Sequence, residues 1–170
     1  PFKSWHHTHN FETTPEGKVM IHDTVRYKLP LGFLGNIVAG RMIRKRLHRM
    51  FTAREIRLER DLKRHAEFNH LKRKRILVAG SSGLIGRQLV AFLDTGGHDV
   101  WRLVRRDAKV GEKELSWSPE SGKINQDELE GFDSIIHLGG AGIGDKRWSK
   151  KRIKLIEESR TRSTSLLAKT

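Results

Sequence analysis

The sequence predicts an α/β protein in which the first part of a doubly wound parallel sheet follows an α+β segment, an antiparallel hairpin plus a long helix. Three observations support this fold class. Residues 76–79 (Ile-Leu-Val-Ala) form an unbroken apolar run, as a parallel strand buried on both faces requires. That run ends in a glycine-rich turn followed by an amphipathic helical pattern, whose apolar face, expected to cover the sheet, comprises Leu84, Ile85, Leu89, Val90, Phe92 and Leu93. A further segment, residues 134–138 (Ser-Ile-Ile-His-Leu), is predicted as a buried parallel strand and ends in another glycine-rich loop.

Length and composition limit the classes of protein that the chain can represent. The 170 residues suffice for one ordinary domain or two small ones, and because the first residue is Pro1 rather than Met we expect a fragment. No cysteine occurs, which excludes disulfides and thiolate metal sites. No apolar run approaches the roughly 18 residues of a membrane span, and no signal peptide is evident. We expect a cytoplasmic protein without a transmembrane segment.

The positive charge is concentrated in one part of the chain. The formal net charge is +14, and most of the excess lies in residues 41–75, where Asp and Glu are few. Such a stripe can bind nucleic acid or an anionic membrane surface. A solvated helix face is the more frequent explanation, so we do not expect a nucleic-acid partner.

The chain begins with a predicted β-hairpin. Residues 3–12 and 18–29 have strand-like composition, and the segment between them contains Pro15 and Gly17, which favour a turn. Alternation puts one set of the second strand's side chains on the face expected to meet a core: Val19, Ile21, Asp23, Val25 and Tyr27.

Histidines in the first strand raise the question of a metal site. His7 and His9 lie two residues apart and therefore share a face of the strand. We expect no carboxylate or further histidine to complete the set, with His22 across the hairpin as the one candidate for a third ligand. Two histidines with one candidate third ligand are an incomplete set, so we expect no metal site.

A long helix is predicted at residues 33–62, with one apolar stripe and a basic remainder that needs a sheet to cover it. Residues 64–73 lack apolar periodicity. We therefore divide the chain into a first domain at 1–63, a linker at 64–73 and a second domain at 74–170.

Three glycines follow the buried strand at the spacing G-x-x-G-x-x-G. Gly80 permits a sharp turn out of the strand, Gly83 lacks a Cβ that would hold a pyrophosphate away, and Gly86 permits close packing of the next helix. The first amides of that helix would face the anion. A purely structural glycine turn is the alternative, but strand, glycines and helix in this order favour a dinucleotide site.

The next strand, at residues 99–104, ends in two basic residues. Dinucleotide-binding units carry an acid there to bind the ribose 2′-hydroxyl of NAD, whereas a basic residue accommodates the 2′-phosphate of NADP. Arg105 and Arg106 occupy this place. The sequence therefore predicts NADP, with NAD the less favoured cofactor.

The remaining predicted elements are, in order, a strand at 114–117, a turn at 118–122, a short helix at 126–131, a strand at 134–138 and a helix at 150–169. The helix is predicted to turn Ile153, Ile156, Leu166 and Leu167 inward. We interpret Ser159 and Arg160 as helix packing and surface charge. The glycine-rich loop at residues 139–142 follows a strand's carboxyl end, where doubly wound sheets bind ligands.

The first part of the chain resembles a known family. The patterns P-F-K-S-W-x-H-T-H-x-F-E at 1–12 and D-T-V-R-Y-K-L-P-L-G-x-L-G at 23–35, followed by the long basic helix, resemble the end of a START-like (SRPBCC, polyketide cyclase/dehydrase-type) domain. This resemblance implies the last strands and helix of a helix-grip fold that encloses an apolar ligand.

The second part resembles the extended short-chain dehydrogenase/reductase superfamily, in its nucleoside-diphosphate-sugar-epimerase-like branch. Motifs A-G-S-S-G-L-I-G (79–86), R-L-V-R-R (102–106) and F-D-S-I-I-H-L-G-G-A-G-I (132–143) carry the resemblance. It implies a Rossmann-like sheet, with His137 either under the cofactor or a hydrogen-bonded strand-end residue. Gly139 departs from the alanine common there. The implied cofactor-binding residues are Gly80, Ser81, Ser82, Gly83, Leu84, Ile85, Arg105, Arg106, Leu138, Gly139, Gly140 and Ala141.

The superfamily's catalytic Y-x-x-x-K pattern does not occur in this chain. Its one tyrosine is Tyr27, and Leu31 occupies the position four residues later. The leading hypothesis is the NADP-binding portion of an oxidoreductase or epimerase, fused to a START-like domain and acting on a small molecule. The START-like resemblance suggests an apolar substrate. The alternatives are a non-catalytic NADP-binding regulator and a basic-helix binder of nucleic acid or anionic membranes.

Overall fold

The computed structural model describes residues 2–30 and 32–170. The chain divides into two compact units, residues 1–62 and 63–170. Leu31, which stands four residues after Tyr27 where the Y-x-x-x-K pattern has lysine, lies outside the described residues.

The first unit contains an antiparallel hairpin and most of a long helix. Strands β1 (Ser4–Thr13) and β2 (Val19–Lys28) pair along their whole length, with Gly17 at φ +74° in the turn. Helix α1 (Gly32–Glu67) begins beyond the hairpin and continues into the segment predicted as a linker. The pairing places Asp23, not His22, directly opposite His9. The expectation that no carboxylate joins these histidines was therefore wrong, because strand register rather than sequence spacing decides the neighbour.

Helix α1 leaves much of its apolar stripe uncovered among the described residues. Exposed apolar side chains include Ile37, Met42, Met50, Ile56 and Leu62. A hairpin of two strands offers one narrow face, and a helix of 36 residues has more apolar surface than that face can bury.

The second unit is built on a five-stranded sheet in the order β6-β5-β4-β3-β7. Its strands are β3 (Arg75–Ala79), β4 (Asp99–Val104), β5 (Glu114–Ser118), β6 (Lys123–Ile124) and β7 (Ser134–His137). Strands β5, β4, β3 and β7 pair in parallel in that order, and β6 joins β5 antiparallel. Strand β3 lies between β4 and β7, and its apolar residues from Leu77 to Ala79 are fully buried.

Helices cover both faces of this sheet. Helix α2 (Leu84–Thr95) packs Val90 and Leu93 against Ile76 and Val78 on one face. On the other face Leu166 and Leu167 of α3 (Lys150–Lys169), with a short 3-10 helix (Asp127–Leu129), pack around Leu77, Leu103 and Trp117. A parallel sheet with helices on both faces confirms the predicted doubly wound α/β class. Ile153, predicted to face inward, is instead exposed near the start of α3.

Among the described residues, no helix has the length and apolar character needed to cross a membrane.

Candidate functional site

The site begins at the corner between β3 and α2. The strand ends at Ala79, and the chain turns at Gly80, whose φ of +80° lies in the left-handed region that favours glycine. The Gly83 N–H donates to the Gly80 carbonyl at 3.1 Å and closes the turn. Helix α2 begins at the next residue, Leu84. The predicted strand-to-helix corner is therefore present.

Two of the three glycines in this corner are required by backbone packing. A Cβ on Gly80 would lie 2.7 Å from the Gly139 nitrogen, and a Cβ on Gly86 would collide with the Gly80 carbonyl oxygen. Gly83 differs, because its Cβ would meet only the Gly80 carbonyl oxygen, at 3.3 Å. Gly83 also has an ordinary extended conformation (φ −69°, ψ 172°). Apart from this oxygen and the neighbouring residues in the chain, no atom of the described residues lies within 4 Å of such a Cβ, and the remaining open space over Gly83 can admit a ligand to the backbone.

The amino end of α2 carries features of an anion site. Its N-cap is Gly83, so no side chain caps the first amides, and the first turn contains no acidic residue. Uncapped amides and the helix dipole place partial positive charge there. Ser81 is buried in the turn, whereas Ser82 is exposed and has a hydroxyl available to a ligand. A pyrophosphate matches this arrangement chemically.

Leu84 and Ile85 lie in the first turn of α2 and do not face the sheet. They are 78% and 68% exposed, so the prediction that both belong to the buried face of the helix was wrong. The residues that do cover the sheet, Val90 and Leu93, lie two turns later. The first turn thus presents apolar surface beside the glycine corner.

A second loop joins the corner at the end of β7. The Leu138 N–H donates to the Ala79 carbonyl at 2.9 Å, and the Gly80 backbone lies against Leu138 and Gly139. From β3 the chain continues to β4 on one side, whereas the later strand β7 pairs with β3 on the other side. The direction of the strand order reverses here, so this is the switch point of the sheet. Ligands of doubly wound sheets bind in the crevice at such a point. The structure therefore brings the two predicted loops together.

Side chains of α3 hold the second loop in place. The Ala141 N–H donates to Ser159 Oγ at 2.9 Å, and Arg160 Nη1 donates to the Ala141 carbonyl at 3.2 Å. Arg160 also lies against Gly140, where a Cβ would meet its guanidinium at 3.1 Å. The interpretation of Ser159 and Arg160 as packing and surface charge missed this role. The available signal was the spacing of Ser159 and Ser163, which puts two hydroxyls on one helix face.

His137 links the strand end to the same helix. Its Nε2 lies 2.7 Å from Ser163 Oγ, and its Nδ1 accepts a weak hydrogen bond from the Gly139 N–H at 3.4 Å. Burial, reinforced by the charge of Arg160, lowers the pKa of His137 and favours the neutral ring. A neutral ring that accepts at Nδ1 carries its proton on Nε2. Of the two sequence interpretations, the hydrogen-bonded strand-end histidine describes these contacts.

The two arginines after β4 have different surroundings. Arg106 makes a bidentate pair with the buried carboxylate of Glu114, both contacts being 2.8 Å, and Arg106 Nη1 also donates to the Asp107 carbonyl. The hydrogen bonds from Arg106 outweigh burial and lower the pKa of Glu114 to about 2. Arg105 is 74% exposed, and its one acidic neighbour among the described residues is Glu120, at 3.7 Å. Arg105 is therefore the arginine with the more available guanidinium.

The parallel sheet, the glycine corner and the adjoining loop define a Rossmann-type nucleotide-binding domain. Residues 76–169 match the family model described as "NAD dependent epimerase/dehydratase family", and the chain belongs to this family. Membership confirms the predicted resemblance to the epimerase branch and supports a nicotinamide dinucleotide as cofactor.

Relatives of known name share the same part of the chain. An epimerase family protein of Mycobacterium bovis is 40% identical over 93 residues, which are 55% of this chain and 31% of that protein. A human epimerase family protein is 34% identical over 97 residues, 56% of this chain and 31% of that protein. The chain thus spans less than a third of the length of these curated relatives.

One solved structure aligns with nearly all of the chain. The crystal structure of a nucleoside-diphosphate sugar epimerase from Corynebacterium glutamicum is 32% identical, with a TM-score of 0.67. The alignment covers 96% of this chain and 31% of that one. The hairpin and most of α1, which lie outside the family match, are therefore included in this similarity.

Proposed function

We propose that this chain is the NADP-binding portion of an oxidoreductase or nucleoside-diphosphate-sugar-epimerase-like protein. The observation that carries the proposal is the corner at residues 80–86. There, an uncapped helix end and a glycine with open space over its backbone meet at the switch point of a parallel sheet. Membership of the epimerase/dehydratase family supports the same assignment.

Each predicted residue has a role in this proposal. Residues 80–85 would bind the pyrophosphate through backbone amides and the Ser82 hydroxyl. The loop formed by Leu138, Gly139, Gly140 and Ala141 would contact the adenosine half of the cofactor. Ser159, Arg160 and Ser163 act indirectly, by fixing that loop and His137. When bound, the nicotinamide supplies hydride transfer, while the residues of this chain bind and orient the cofactor.

The choice of NADP over NAD rests on the end of β4. No acidic residue occupies the two positions after Val104, where a ribose-binding carboxylate would stand. Since Glu114 and the Asp107 carbonyl already engage both terminal nitrogens of Arg106, we assign the main contact with the 2′-phosphate to Arg105. Arg106 contributes charge and, through Glu114, holds the loop that carries Arg105.

Titration of the full-length protein with NADPH and NADH tests the assignment. We expect NADPH to bind at least tenfold more tightly, and Arg105→Ala to weaken NADPH binding about tenfold while changing NADH binding less than twofold. The matched control is Arg162→Ala, an exposed arginine of α3 that pairs with Glu158. Equal affinities of the unmodified protein for the two cofactors would contradict the NADP assignment, whereas failure of both to bind would contradict the dinucleotide site.

We further infer that the hairpin and α1 are the last elements of a START-like ligand-binding domain, with the domain division at 1–63, 64–73 and 74–170. The order of a hairpin followed by a long helix supports this inference, as does the apolar stripe that the hairpin leaves exposed on α1. The substrate would then be a small, apolar molecule. A structure of the full-length protein tests the inference, and it is wrong if α1 is not wrapped by an antiparallel sheet.

A further inference from the structure

Three side chains with metal-ligand chemistry meet on one face of the amino-terminal hairpin. His7 and His9 are two residues apart on β1, and Asp23 lies directly across from His9 on β2. Side chains two apart on a strand share a face, and directly opposed residues on paired strands are near neighbours. Pairing of the two strands therefore assembles the group.

The ligand atoms converge on a single carboxylate oxygen. Asp23 Oδ1 contacts Nδ1 of His9 and lies 3.4 Å from Nε2 of His7. The two imidazole rings are 4.0 Å apart between centroids. One atom from each residue can be chosen such that all three lie within 4.8 Å of one another. Ligand atoms about 2.0 to 2.2 Å from one tetrahedral ion lie about 3.3 to 3.6 Å apart, so small side-chain rotations would bring all three atoms onto one ion.

One of these nitrogens is buried without a hydrogen-bond partner among the described residues. Nε2 of His7 is buried and, among the described residues, lacks a hydrogen-bond partner despite its approach to Asp23. A buried polar atom without a partner destabilises the fold and usually indicates a missing ligand, ion or water. The distance of 3.4 Å between Nε2 of His7 and Oδ1 of Asp23 is longer than an ordinary N–H···O hydrogen bond, and a cation bound by both atoms would satisfy both.

Neighbouring side chains of α1 orient and shield the group. Arg54 Nη1 of α1 lies 3.3 Å from Asp23 Oδ2, which leaves Oδ1 to the two imidazoles. Phe51 packs edge-on against His7 at 5.3 Å and shields one side of the group. Residues that orient a ligand in this way are typical of metal sites.

We propose that His7, His9 and Asp23 bind a divalent transition-metal ion of the zinc type. Two imidazole nitrogens and one carboxylate oxygen are the ligands that zinc accepts, and three protein ligands leave a fourth position open to water or another group. Calcium and magnesium prefer all-oxygen sites, so the two nitrogens disfavour them. Because the ligands come from both strands, the ion would also hold the hairpin together.

Direct binding of zinc to the full-length protein tests the proposal. After removal of metal with a chelator, calorimetric titration with Zn²⁺ in a non-chelating buffer should show one site per chain. His9→Ala and Asp23→Asn should each weaken binding at least tenfold. Matched controls are His6→Ala and His22→Ala, because both histidines lie on the opposite face of the hairpin and are exposed. Each should bind zinc as the unmodified protein does.

Several outcomes would overturn the site. Absence of a one-to-one zinc site, equal binding by Asp23→Asn, or an equal loss in His6→Ala and His9→Ala would show only scattered surface histidines. Because Asp23→Asn keeps the size of the side chain, its circular dichroism should match the unmodified protein, so a binding loss can be separated from misfolding. X-ray absorption of the zinc complex should also show imidazole ligands, and their absence contradicts the proposal.

Discussion

At the residue scale, the three glycines of the corner have separable roles. Gly80 and Gly86 lie against backbone atoms, so a side chain at either position forces the backbone to move. Gly83 has an ordinary backbone conformation and is exposed. We therefore propose that its lack of a side chain matters more for binding a ligand than for the fold.

This difference predicts opposite effects of the same substitution. Gly83→Ala should change the free energy of unfolding by less than about 1 kcal/mol, yet weaken NADPH binding at least tenfold, because the new methyl group occupies the approach to the helix amides. Gly86→Ala should destabilise the protein by about 1–3 kcal/mol, since overpacking against the Gly80 carbonyl cannot be relieved by a side chain. Chemical denaturation and cofactor titration measure the two quantities. Equal binding by Gly83→Ala and the unmodified protein would contradict the assigned role.

At the scale of elements, α3 organises the loop after β7. Ser159 accepts the Ala141 amide hydrogen, and the same hydroxyl donates to the Ile156 carbonyl of its own helix. The conformation of the loop backbone thus depends on a helical residue that lies much later in the sequence. This dependence links the packing of α3 on the sheet to the geometry of the candidate cofactor crevice.

Removal of this hydroxyl should loosen the loop. Ser159→Ala leaves the Ala141 amide without its acceptor, a loss of about 1 kcal/mol, and we expect NADPH binding to weaken roughly fivefold. Thr161→Ala is the matched control, because its exposed hydroxyl donates to the Glu157 carbonyl within the helix. Cofactor titration of both variants measures the effect. Equal losses in the two variants would show that α3 does not act through Ser159.

At the scale of the whole molecule, the ion pair between the buried Glu114 and the half-exposed Arg106 makes the stability of the fold depend on pH. The pKa of Glu114 falls from an ordinary 4.5 to about 2 in the folded protein. A depressed folded-state pKa contributes stability that is complete above the unfolded-state pKa and is lost as the pH falls toward the folded-state value. The contribution is therefore present at neutral pH and decreases between about pH 4.5 and pH 2.

Replacement of this carboxylate should change the acid dependence of stability. Glu114→Gln should be less stable than the unmodified protein at neutral pH, and the difference should shrink as the pH falls below about 4.5. Urea unfolding at a series of pH values between 7 and 3 measures it. Glu120→Gln, an exposed residue 3.7 Å from Arg105, should follow the unmodified protein. A stability difference that stays constant across this pH range would mean that pairing with Arg106 does not lower the pKa of Glu114.

Local patterns predict much of the second unit. The apolar run at 76–79, the glycine spacing and the helical periodicity are each encoded in neighbouring residues, so the sequence predicts β3, α2 and the corner between them. The helix at Lys150–Lys169 was predicted for the same reason. Leu84 and Ile85 were misplaced because periodicity assigns a face to a helix without revealing how far the covered sheet extends.

By itself, the sequence determined the fold class of the second unit and the residues of its glycine corner, since these depend on short-range patterns. Only the tertiary structure decided which distant groups meet. It placed Ser159 and Arg160 of α3 against the loop after β7, paired Arg106 with Glu114, and brought Asp23 to His7 and His9. The physical reason is that strand register and helix docking are set by the burial of whole faces, which the spacing of a few residues does not specify.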